Sequence, residues 1–215
     1  MNSVIYGVDI SNHQPSIDLM KLKREGFEFA IIKATEGGGF RDAYFRRHLN
    51  AATAAGMYTG AYVYVLAIAT PRDHADALEA VCPDRSIPIA LDIEQGSGTH
   101  VQHWRDVHAE IESRGYRVFL TYLPRWYWRQ CGKPDLAGFA PLWSSLYPDH
   151  HLGYASVIFQ RSGTAGWEGY GGLPVLLWQF TSSAQAAGHI IDANAFRGSR
   201  EDLAALFGQE LIPTP

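Results

Sequence analysis

The segment Ile89-Ala90-Leu91-Asp92-Ile93-Glu94 sets two carboxylates two positions apart after an apolar run. On an extended strand such residues point to one face, about 7 Å apart at Cα. Two like charges held that close, at the edge of a dry interior, push at least one pKa upward. A carboxylic acid kept protonated near neutral pH is the group that protonates a glycosidic oxygen. The alternative for Asp92 and Glu94 is a solvated strand end that caps the next helix. Another acid, Asp9, ends the run Tyr6-Gly7-Val8-Asp9. Aromatic residues close further runs: Tyr62 and Tyr64, Tyr122, Trp143, and Trp178 beside Gln179. Ring faces stack on the apolar faces of sugars and tyrosine hydroxyls add polar contacts; any one such ring is more often core than ligand platform, but together, beside paired carboxylates, they point to a cleft. Glu36 either faces the same cleft or pairs with Lys33 or Arg41.

Other constellations carry less. His100 and His103 are three apart and His150-His151 adjacent, but neither pair has a third ligand at zinc spacing, and they read as surface histidines. Gly37-Gly38-Gly39 has no following Gly-Lys-Ser/Thr and reads as a flexible loop. No Gly-x-Ser-x-Gly elbow supports a serine nucleophile. Cys82 and Cys131 lie in no Cys-x-x-Cys pattern and read as two free thiols, or as one disulfide if the protein matures outside the cell.

The elements that must position the acids alternate. Apolar runs at Val4–Ile10, Phe27–Lys33, Tyr58–Leu66, Ile87–Ile93 and Tyr116–Tyr122 read as strands. Between and after them, Asp18–Glu25, Asp42–Ala55, Pro71–Val81, Thr99–Arg114 and Arg125–Cys131 read as helices, several ended by glycine. Then the rhythm changes: Pro141–Leu146, Ala155–Gln160 and Val175–Phe180 read as strands joined by polar, Gly-rich links, and Arg200–Phe207 as a last helix. Eight strands in such a chain predict an α/β fold with a parallel sheet closed into a degenerate TIM-like barrel, its chemistry at the C-terminal strand ends. A doubly wound open sheet is the competing architecture, but no Gly-rich phosphate loop follows the first strand.

With 215 residues, 47% apolar and 19% charged, the chain is long enough to bury a core without metal or disulfide. A formal net charge of −4 argues against nucleic acid as partner. No apolar run reaches the roughly 20 residues of a membrane span, and the N-terminus has no basic, apolar leader. One domain is expected over 1–208. The residues 209–215 read as a tail or the start of a linker to a further module.

Five segments together resemble the catalytic domain of glycoside hydrolase family 25, the Chalaropsis-type muramidases. They are Tyr6-Gly7-Val8-Asp9-Ile10-Ser11-Asn12-His13-Gln14, Phe29-Ala30-Ile31-Ile32-Lys33-Ala34-Thr35-Glu36-Gly37, Ala55-Gly56-Met57-Tyr58-Thr59-Gly60-Ala61-Tyr62, Pro88-Ile89-Ala90-Leu91-Asp92-Ile93-Glu94 and Leu177-Trp178-Gln179-Phe180-Thr181-Ser182. The resemblance implies a barrel of five β/α units and three further strands. It implies cleavage of the β-1,4 bond between N-acetylmuramic acid and N-acetylglucosamine in peptidoglycan glycan strands. Glu94 would be the general acid, with Asp9, Asp92 and the late Asp192 as its acidic partners. Asp92 would either assist the substrate's 2-acetamido group or attack directly. Substrate contacts are expected from Tyr62, Tyr64, Tyr122, Trp143, Gln179 and Glu36. No metal or cofactor is implied, and a monomer is expected. The lack of a leader would suit a phage lysin acting on the bacterial wall. A glycan-binding barrel without turnover, or another barrel glycosidase such as a chitinase, are the alternatives.

Overall fold

The computed structural model describes residues 4–212; the first three residues of the expected leaderless N-terminus and the last three of the expected tail lie outside it. In chain order the elements are β1 (Val4–Ile10), α1 (Leu19–Arg24), β2 (Phe27–Glu36), β3 (Phe40–Arg41), α2 (Phe45–Ala54), β4 (Tyr58–Tyr64), α3 (Pro71–Val81), β5 (Ile89–Asp92), α4 (Val101–Ser113), β6 (Val118–Tyr122), α5 (Arg125–Gln130), β7 (Leu142–Ser145), α6 (Ala155–Arg161), a 3-10 turn (Ala165–Trp167), β8 (Val175–Ala186), β9 (His189–Arg197) and α7 (Arg200–Phe207). The sheet order is β1-β9-β8-β7-β6-β5-β4-β2-β3, and β1 also pairs with β2, so eight strands close into a barrel with β3 flanking β2. From β1 through β8 the barrel pairings are parallel; β9 is antiparallel to both β8 and β1.

Local chemistry explains the helix starts. Thr70 and Asp73 form a reciprocal capping box before α3, with Pro71 in its first turn, and Ser199 and Asp202 do the same for α7. The core has two layers. Outside the barrel, residues such as Ile32, Val63, Leu78 and Trp104 pack strands against helices. Inside it, Phe29, Ile31, Tyr58, Phe119, Leu177 and Phe196 fill the lower half. α7 closes that end: the Phe207 ring centroid lies 5.1 Å from Phe119 and 5.6 Å from Phe29. Gly7 is required by this packing, since a Cβ there would sit 2.2 Å from the Phe29 ring.

Two expectations fail in the second half. Ala155–Gln160 is not a strand; it forms α6, burying Ala155 and Ile158 three positions apart while Val157 points outward. The eighth strand is β9, which carries Asp192 and Asn194. Its polar residues face the barrel interior, so its pattern does not look like a buried strand. The expected tail begins with a docked segment: Gln209 exchanges amide hydrogen bonds with the Thr59 backbone, and the Ile212 N–H donates to the Tyr58 hydroxyl at 3.0 Å.

Candidate active site

The register of the parallel strands brings the acids to one rim. Tyr64, Asp92, Tyr122 and Trp143 are consecutive partners across β4, β5, β6 and β7. Asp92 is the last residue of β5, and Glu94 follows in a turn. That turn is fixed from below: the Glu94 N–H donates to Ser97 Oγ at 3.0 Å, Ser97 Oγ donates to the Val65 carbonyl, and Trp104 Nε1 donates to the Ser97 carbonyl. On the far side, Asp9 and Asp192 are opposite one another on the β1–β9 ladder. Direct cross-strand partners share a face with Cβ atoms about 4.5–5.5 Å apart. A hollow of about 190 Å³ lies between these strand ends, lined by Tyr62, Asp92, Glu94, Tyr122, Trp143, Tyr147, Gln179 and Asp192.

The Gln179 amide organises the floor. Its oxygen accepts from the hydroxyls of Tyr122 (2.9 Å) and Tyr147 (2.5 Å), and its NH2 donates to both oxygens of Asp9 (2.9 and 3.0 Å). Asn194 donates to Asp9 Oδ1 at 2.7 Å and accepts from Trp143 Nε1 at 2.7 Å. Asp9 is thus an acceptor for two amides, the arrangement that suits a carboxylate. Asp92 is the opposite case: it is buried, and its Oδ1 has no hydrogen-bond partner.

Burial is the first cause of every shift in this cluster. It pushes Asp92 well above the usual carboxylate range, reinforced by Glu94 and opposed by Lys33. Glu94 is raised by burial and then by Asp9, again against Lys33. Asp192 is pushed up to about 8 by burial, Asp9 and Glu94. Asp9 rises through burial while Asn194 and Gln179 pull it back. Burial and crowding thus raise all four acids and favour keeping protons within the cluster, the condition for general acid chemistry.

Not every expected residue joins this hollow. Tyr64 stands beside it, its hydroxyl donating to the Gln95 carbonyl. Glu36 lines a separate hollow of about 570 Å³ with Phe40, Arg41 and Ile68, and pairs with Lys33 at 2.6 Å. Tyr122 and Trp143 are only 8% and 2% exposed, so they offer the hollow edges and polar tips rather than open ring faces. Tyr147, Asn194 and Lys33 belong to the constellation although sequence reasoning gave them no role there. Among the described residues no three or more His, Cys, Asp or Glu side chains are grouped to hold a metal ion, and no helix is long and apolar enough to cross a membrane.

The chain matches the model of the glycosyl hydrolases family 25 over residues 8–189. The chain belongs to that family. Lysozyme M1 of Streptomyces globisporus is 28% identical, over 95% of this chain and 71% of its own length. The crystal structure of the bacterial lysozyme from Streptomyces coelicolor superimposes with a TM-score of 0.79 at 28% identity, covering 95% of this chain and 97% of that one. The muramidase from Trichobolus zukalii gives 0.76 at 28% identity, covering 94% and 98%. This family 25 member is a glycoside hydrolase on a TIM-like barrel.

Proposed function

We propose that this family 25 hydrolase is an N-acetylmuramidase. It cleaves the β-1,4 bond between N-acetylmuramic acid and N-acetylglucosamine in the glycan strands of bacterial peptidoglycan, using Glu94 as acid and base. The observation that carries the reading is the hollow holding Asp92, Glu94 and Asp192 between tyrosines and Gln179. Lysozymes and muramidases among its relatives support the substrate class.

In this mechanism Glu94 donates its proton to the glycosidic oxygen as the bond to the anomeric carbon breaks. It then takes a proton from the incoming water. The unpartnered Asp92 Oδ1 is a buried acceptor in search of a donor. The N–H of a 2-acetamido group meets that need, and its own carbonyl oxygen then attacks the anomeric carbon with Asp92 stabilising the positive charge. This supports net retention with acetamido assistance over direct attack by Asp92. Asp9, held by two amides, favours the protonated form of Glu94, and Asp192, its cross-strand partner, faces the same hollow. Tyr62, Tyr122, Tyr147 and Gln179 hold the sugar. Digestion of purified peptidoglycan, with the sugar at each new reducing end identified, tests the reading. Muramic acid ends are expected. Glucosamine ends would contradict it, and no new ends would leave a glycan-binding barrel.

A further inference from the structure

β2 is irregular between Lys33 and Thr35. In a regular strand, residues three apart point to opposite faces. Here the extra residue resets the alternation: Lys33 pairs with Tyr62, and Glu36 with Tyr64, two residues that share a face on β4. Bulges re-aim side chains in this way beside active sites. The result is an ion pair of 2.6 Å between Lys33 Nζ and Glu36 Oε2, with the lysine side chain 12% exposed. Three rings surround the ammonium, with centroids at 4.9 Å (Tyr64), 5.5 Å (Phe40) and 5.9 Å (Tyr62). Lys33 lines neither the catalytic hollow nor the larger one beside it.

We infer that Lys33, aimed by the bulge and held by Glu36 and three rings, is a positioning residue that sets the pH range in which the Asp92–Glu94 pair works, without itself touching the sugar. The inference rests on the catalytic reading of those two acids given above. The titratable groups facing this corner are otherwise acids and phenols: Asp9 on β1, Glu36 on β2, Tyr62 and Tyr64 on β4, Asp92 on β5, Glu94 in the turn after it, Tyr122 on β6 and Asp192 on β9. Arg41 on β3 lies at the neighbouring hollow, and Asp42 is occupied by the backbone N–H groups of Asn12 and Tyr44. Lys33 favours the charged form of both Asp92 and Glu94, while Glu36 disfavours it in both. A cation that is dry and immobile exerts that field at full strength. The ion pair with Glu36 moderates it.

The two members of the pair therefore act with opposite signs, and that is what the experiment reads. The pH profile of kcat/KM is measured on soluble peptidoglycan strands for the wild type, Lys33→Met, Lys33→Arg and Glu36→Gln. The two limbs report the titration of the coupled Asp92–Glu94 pair as a unit. Lys33→Met removes the cation, so both limbs move to higher pH, by on the order of 1 unit for loss of a nearby opposite charge. Glu36→Gln moves both limbs to lower pH by less, because Glu36 is more exposed. Lys33→Arg restores the wild-type profile. A profile that stays in place while KM rises would make Lys33 a substrate ligand and overturn the inference, as would shifts of the same sign in both variants. If Lys33→Met does not fold, an unmoved profile in Glu36→Gln overturns it alone. An active wild type with unmoved variants leaves the muramidase reading standing, whereas a wild type that releases no muramic acid ends removes both.

Discussion

The amide of Gln179 is oriented one way only, because two phenols donate to its oxygen and Asp9 accepts from its nitrogen. Gln179→Leu strips Asp9 of two charge-assisted contacts and leaves two tyrosine hydroxyls without an acceptor. Each buried group so orphaned costs about 1–3 kcal/mol. The expected outcome is a lower unfolding midpoint in urea together with a loss of hydrolysis, both measured on one preparation. An unchanged midpoint would mean that the amide is not clamped as described. Asp92 and Glu94 were legible in the sequence because a strand's two-residue period is local information. Asn194 and Tyr147 were not. Asn194 meets Asp9 only through closure of the barrel between β1 and β9, 185 residues apart, and Tyr147 meets Gln179 across the β7–β8 pairing, 32 residues apart, and neither residue type signals chemistry by itself.

The strands and helices of the first half were readable because apolar runs there alternate with amphipathic, glycine-ended segments. The second half misled in two places for physical reasons. Ala155-Ser156-Val157-Ile158-Phe159 is short and apolar, and such a run does not by its pattern distinguish strand from helix; packing of Phe159 against Tyr6, Trp178 and Phe180 accompanies the helix. β9 turns polar residues inward where strand logic expects apolar ones, because the interior at that height is the candidate active site, where Asn194 holds Asp9 and Asp192 lines the hollow. Lower down the barrel, α7 serves as a plug. Phe207→Ala would open a cavity against Phe29, Tyr58 and Phe119 and cost about 3–5 kcal/mol. Equilibrium denaturation checks this, and a loss below about 1 kcal/mol would mean that α7 merely covers the barrel end. At the same level, Gly7→Ala sets a methyl against the Phe29 ring, and overpacking of this kind costs about 1–3 kcal/mol.

Closing the barrel gathers four acids at one end of a molecule whose other end is a packed apolar plug, and that asymmetry shapes its response to pH. Asp192, at about 8 in the folded protein, returns to about 3.9 in the unfolded chain. Between those values the folded state binds the extra proton, so stability falls as pH rises from about 4 to about 8. Asp192→Asn removes that dependence: it should raise the thermal midpoint at pH 7.5 and leave it almost unchanged at pH 3.5. Equal gains at both values would show that the strain is not electrostatic. The gathering of acids has one purpose in this account, to keep a proton on Glu94 at the pH of the reaction. The most direct test is Glu94→Gln, which preserves shape and removes the transferable proton. Hydrolysis of purified peptidoglycan by this variant should fall by at least the ~10²–10⁴ that general acid catalysis supplies, with glycan binding retained and a thermal midpoint equal to or above that of the wild type. A Glu94→Gln protein that still releases muramic acid ends at nearly the wild-type rate would contradict it.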